Sequence, residues 1–174
     1  MKVVLDANCF IDSLNPAVER SRCMKLIFSA RDTGRLDLNV SRQTLDELSK
    51  KPDLAYELAK KLPVLPYWPF GSIADLVGTI EQLSGTWEDA RQNDEINEQL
   101  RLLAKSGSSI RDRGAYIDAL RAKADVFLTS DTHLVASGPA QRIAENFGLR
   151  VLTPCDLVRE ISKKLKMLRQ DGTT

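Results

Sequence analysis

The sequence predicts an α/β fold in three layers, with a central, mainly parallel sheet and helices on both faces. Three observations carry that prediction. Short, dense apolar runs sit at Lys2 to Leu5, Asp125 to Leu128 and Leu149 to Leu152, with none of the polar alternation of a half-solvated strand. Stretches of helical period and length separate them, and strands that alternate with helices imply βαβ units. The chain is 174 residues long, which suits one domain with a sizeable buried core.

Each element has a local reason. Lys2 to Leu5 ends in Asp6-Ala7-Asn8, a buried strand delivering a polar turn at its carboxyl end. Asn15 suits a helix N-cap and Pro16 its first position, and Val18, Met24, Leu26, Ile27 and Ala30 supply an apolar face up to a stop at Gly34. Leu36, Leu38 and Val40 alternate as a strand, and Ser41 can cap a helix that turns Leu45 and Leu48 inward and closes near Pro52. Asp53 to Leu62 reads as a short helix and Pro63 to Pro66 as a further strand.

The stretch 68–105 reads as a helical hairpin inserted in the single domain 1–174, broken at Ser84-Gly85 and followed by the loop Ser106-Gly107-Ser108-Ser109. Helical pattern returns from Ile110 to Lys123, ahead of the strand that ends in Thr129-Ser130-Asp131. Pro139 to Phe147 is helical with Gly148 as its stop, and Thr153-Pro154 opens a basic helix over 154–170.

Composition narrows the function. Hydrophobic residues make up 43% and no apolar run approaches the roughly 18 residues that span a bilayer, so no membrane insertion is expected. The start lacks the order of a secretory signal, and the expected location is the cytoplasm. Cys9, Cys23 and Cys155 are odd in number and widely spaced, so all three are expected to be small buried hydrophobes, outside any disulfide or zinc site. His133 is the single histidine, which excludes a multi-histidine metal centre. Glycine-rich phosphate loops of the dinucleotide and P-loop types are absent.

The net charge of +1 hides two opposed runs. Glu81 to Glu98 holds six acids against Arg91, a net of −5, whereas Arg159 to Asp171 is +3. Either run serves as a solvated helix face. The acidic run also suits protein contacts, and Lys163, Lys164 and Lys166 suit an approach to nucleic acid. Trp68, Phe70 and Trp87 are open to base stacking or to packing within the hairpin.

Carboxylates therefore carry the candidate chemistry. Asp6 and Asp131 each follow an apolar strand, and ligands of open parallel sheets sit at the carboxyl ends of the strands. Glu47 and Asp112 can reach the same edge. Each acid has a structural role open to it: an Asx-turn for Asp6, a helix cap for Asp131, and capping-box spacings in Thr44-x-x-Glu47 and Ser109-x-x-Asp112. Together, four acids at one edge repel one another unless a cation offsets them.

The blocks VVLDANCFIDSL, SRQTLDELSK, DRGAYIDALRAKADVFLTSD and GLRVLTPCDLV resemble the PIN domain, a superfamily of metal-dependent nucleases, along nearly the whole chain. The most specific block joins Asp112 to Asp131, nineteen residues later. The resemblance implies an acidic quartet of Asp6, Glu47, Asp112 and Asp131, with Asn8 and Thr129 as polar supports for substrate. Asp118 competes with Asp112, Asp46 with Glu47, and Asp12 lies near the first block.

Such a quartet implies Mg²⁺ or Mn²⁺ held chiefly by Asp6, Asp112 and Asp131, since these hard cations take oxygen ligands, keep several waters and need few direct carboxylates. The expected function is an endoribonuclease acting on RNA phosphodiesters, as the toxin of a toxin–antitoxin pair. A symmetric homodimer is the default assembly, and an antitoxin protein is the expected partner. The rival is a PIN-like RNA- or protein-binding scaffold without efficient turnover. A phospho-acceptor or phosphatase domain using Asp6 is disfavoured, because Asp6-Ala7-Asn8 lacks a second Asp two residues on.

Overall fold

Asp6 ends one strand and starts one helix, and that double role sets the plan of the fold. The computed structural model describes residues 1–66 and 114–171. β1 (Lys2–Leu5) passes directly into α1 (Ala7–Leu14), with Asp6 as N-cap accepting from the Ala7 N–H. The polar turn expected after the strand is thus a helix start, for which Asp is among the preferred residues. α2 (Glu19–Asp32) begins at Glu19 behind Val18, so Asn15-Pro16 does not open it. Asn15 instead closes α1, its N–H bonding to the Asp12 carbonyl.

β2 (Asp37–Val40) follows, then α3 (Arg42–Ser49) and α4 (Leu54–Ala59). Gly34, at φ 71°, lets the Arg35 N–H reach back to the Ala30 carbonyl and stop α2. The strand expected at Pro63 to Pro66 reduces to one parallel bridge between Val40 and Val64, since prolines at both ends cannot donate to a ladder. α5 (Gly114–Arg121) leads to β3 (Val126–Leu128), then α6 (Thr132–Ala136), α7 (Gly138–Asn146), β4 (Arg150–Leu152) and α8 (Pro154–Asp171). The hairpin expected over 68–105, with its acidic run and tryptophans, lies outside the described residues.

The four strands run parallel in the order β2-β1-β3-β4. Leu5 pairs with Val40 on one side and with Leu128 on the other. Both faces are covered, as the dense apolar strands require. Val3, Leu5, Leu38, Val40, Val126 and Leu128 pack with Phe10 of α1, Met24 and Ile27 of α2, Ala55 and Ala59 of α4 and Leu157 of α8. Val4, Phe127 and Val151 pack on the other face with Tyr116, Ala119 and Leu120 of α5 and Ile143 and Ala144 of α7. Tyr116 meets Phe127 edge-on at 5.7 Å between ring centroids. Its hydroxyl donates to the Ala140 carbonyl at 2.9 Å, joining α5 to α7. The result is the three-layer α/β/α arrangement that the alternation predicts.

One expectation about cysteine is overturned. Cys23 of α2 and Cys155 of α8 form a disulfide, with Cα atoms 5.2 Å apart across 132 residues of sequence. Spacing gave no hint of it, because the packing of α8 against α2 brings the two together. Cys9 alone keeps the expected role of a buried thiol. Among the described residues no helix is long and apolar enough to cross a membrane.

Candidate active site

The strand order places the site. The chain builds β2 on one side of β1 and later β3 on the other, so the connections diverge between β1 and β3. In open α/β sheets that divergence opens a crevice at the carboxyl ends of the two strands. Asp6 and Thr129 are the next residues after β1 and β3, in register at that edge through the bond from the Asp6 N–H to the Leu128 carbonyl, 2.9 Å.

One hydroxyl connects the two strand ends. Thr129 is fully buried, and its Oγ1 donates to Asp6 Oδ2 at 2.7 Å while accepting the Asp131 N–H at 3.1 Å. Thr129, expected to support substrate, therefore supports the acids themselves. Asp6 Oδ1 accepts the Ala7 N–H at 2.8 Å. Asp131 Oδ1 accepts from the His133 and Leu134 N–H groups at 2.8 and 3.2 Å, capping α6. Asp131 thus takes the helix-cap role open to it in the sequence, whereas Asp6 caps α1 through the Ala7 N–H in place of the expected Asx-turn with Asn8. Each role fixes a carboxylate at the edge of the crevice, which a ligand-binding function also requires. Asn8 is exposed on the first turn of α1, and His133 is exposed on α6.

Glu47 arrives from α3. Ser41 caps this helix by accepting the Thr44 N–H, and the Thr44 hydroxyl donates to the Leu5 carbonyl beside Asp6. The capping box at Thr44 and Glu47 is therefore displaced by Ser41 and Thr44. Gln43 and Glu47, four residues apart, share one face of α3. That face abuts the start of α5, because a Cβ on Gly114 would fall 1.3 Å from the Gln43 side-chain oxygen. Side chains lean toward a helix N-terminus, so the half-buried Glu47 leans toward the carboxyl edge of the sheet.

The other acids are sorted by their neighbours. Asp112 lies outside the described residues. Asp118, its rival, is half-buried on α5, and burial raises its carboxyl from the ordinary 3.8 to about 6, partly offset by Arg121. Asp46 is exposed. Asp12 pairs with Arg20 of α2 at 3.3 Å. Buried Cys9 donates to the Leu128 carbonyl at 3.2 Å. Burial foremost, and then the charge of Asp6, keep it a thiol, which removes it as a nucleophile. The buried Ser130 hydroxyl lies beside that thiol and makes no hydrogen bond of ordinary geometry among the described residues.

Among the described residues no three of His, Cys, Asp and Glu gather closely enough to hold a metal ion. The donor chemistry of Asp6 and Asp131 nevertheless fits Mg²⁺ or Mn²⁺, which bind through one or two carboxylates, water and a phosphate. Arg20 is a residue at this edge that the sequence gave no sign of, since only the packing of α2 brings it to the Ser130 carbonyl. Lys163, Lys164 and Lys166 are exposed on α8, and Leu165 is exposed with them. No family model matches the chain, and no curated protein matches it in sequence.

Proposed function

We propose that this protein is a divalent-metal-dependent endoribonuclease of PIN-like type. One observation supports the reading above all: Asp6 and Asp131 flank the point where the sheet connections diverge, and a single buried threonine hydroxyl bonds both the Asp6 carboxylate and the Asp131 backbone N–H. Asp6 and Asp131 would hold Mg²⁺ or Mn²⁺, with Asp112 as third ligand and Glu47 beside them. The metal supplies Lewis-acid polarisation of the phosphodiester and a lower pKa for attacking water. The chain's own part is orientation. Backbone N–H groups and the Thr129 hydroxyl bond the two carboxylates and fix their orientation at that edge. A single exposed histidine suits no two-imidazole mechanism, and the buried Cys9 suits no covalent one.

The test is cleavage of an end-labelled single-stranded RNA in Mg²⁺, Mn²⁺ and EDTA, by wild type, Asp6→Asn and Asp131→Asn. Metal-dependent cleavage by wild type alone supports the reading; equal cleavage by either variant overturns the site. The scaffold reading has its own observation: both acids already serve as helix caps, so each is explained without a metal. Metal-independent RNA binding with no turnover would favour it. If the nuclease belongs to a toxin–antitoxin pair, the acid-rich segment around Glu88 to Glu98 would take a basic antitoxin segment or a second copy of the chain.

A further inference from the structure

Arg20 stands in the first turn of α2, far in sequence from β3, yet it is bound to the β3 end. Its Nη1 donates to Asp12 Oδ2 at 3.3 Å and to the Ser130 carbonyl at 3.1 Å. That carbonyl belongs to the peptide unit whose N–H, on Asp131, donates to Thr129. In a planar trans peptide the C=O and N–H point opposite ways, so Arg20 and Thr129 grip the Ser130–Asp131 link from opposite sides. The guanidinium is thereby held at a set offset from both Asp6 and Asp131.

One nitrogen makes both contacts. Nε and Nη2 hydrogen-bond to none of the described residues, and the side chain is 37% exposed. Among the described residues no other Lys or Arg hydrogen-bonds to the carboxyl edge of the sheet. A polyanion approaching Asp6, Asp12 and Asp131 meets repulsion that a fixed cation offsets, and the outer edge of a guanidinium is a two-donor fork matched to phosphate.

We infer that Arg20 binds a backbone phosphate of the RNA substrate, adjacent to the phosphate at the carboxylates. The inference rests on the ribonuclease reading. Asp12 and the Ser130 carbonyl orient the fork, and the offset across the peptide assigns it to substrate binding, apart from the bond-breaking step.

The experiment compares wild type, Arg20→Gln, Arg20→Lys and Asp12→Asn. Fluorescence anisotropy with a short single-stranded RNA at several salt concentrations in EDTA reports binding without turnover, and thermal melting reports folding. Arg20→Gln should weaken binding about tenfold, lower the magnitude of the log K against log[salt] slope by about one, and raise KM with kcat within twofold. Arg20→Lys should restore the slope but only part of the affinity. Asp12→Asn should bind RNA at least as well as wild type, since it removes a negative charge. Wild-type affinity and salt slope in a folded Arg20→Gln would overturn the inference and leave the nuclease reading standing. Should Arg20→Gln not fold, weakened binding by folded Arg20→Lys supports the inference and unchanged binding overturns it. A wild type that neither binds nor cleaves RNA removes both.

Discussion

Replacing Thr129 by Val tests the tie on which the site depends. Valine preserves shape and removes the hydroxyl that joins Asp6 to Asp131. Losing a hydrogen bond to a charged acceptor costs about 1.5–3 kcal/mol, and a neutral one about 1 kcal/mol. Both bonds share one buried oxygen and so do not add fully, which gives roughly 2–4 kcal/mol in total. For a domain of this size each kcal/mol lowers Tm by about 2–4 °C, so a fall of roughly 5–15 °C follows. Urea denaturation at pH 7 should read the same loss as a lower midpoint with an unchanged slope. Thr129→Ser keeps the hydroxyl and loses one buried methyl, at about 1 kcal/mol. RNA cleavage should fall at least tenfold in the Val variant and stay near wild type in the Ser variant. If Val is as stable and as active as Ser, the hydroxyl does not hold the two acids.

Asp131→Asn and Asp131→Ala should part on stability and agree on activity. Asn caps a helix as well as Asp, so its Tm should hold, whereas Ala loses about 1 kcal/mol by urea titration; both should abolish metal-dependent RNA cleavage. Reducing the Cys23–Cys155 bond, which closes a loop of 132 residues in sequence separation, should cost about 2–5 kcal/mol, read as a Tm drop on adding dithiothreitol that Cys23→Ser abolishes. Asp118 gives a pH signature. Its carboxyl is raised to about 6 from 3.8, chiefly by burial, so the native state binds the proton more tightly and stability is lost as pH rises through that window. Discounted for its partial exposure, Asp118→Asn should gain about 1–2 kcal/mol on wild type between pH 4 and 7, and it should cleave RNA far better than Asp112→Asn. A difference independent of pH would place Asp118 in water.

The sequence by itself determined the α/β/α class, because strands apolar on both faces must be covered on both faces and the helical stretches between them are the cover. It also determined the stops at Gly34 and Gly148, where a left-handed backbone favours glycine (φ 71° and 70°), and the cap at Ser41. Asp6 and Asp131 were legible as strand-end acids on the same local grounds. Strand order is a matter of long-range pairing, and only the tertiary structure put β1 beside β3 with Asp6 facing Thr129. The same holds for Cys23 with Cys155 and for Arg20 with Ser130. Their partners lie more than a hundred residues away, where period, propensity and capping carry no information. Local rules act over one or two turns, whereas a site assembled from several elements exists only once the core has packed.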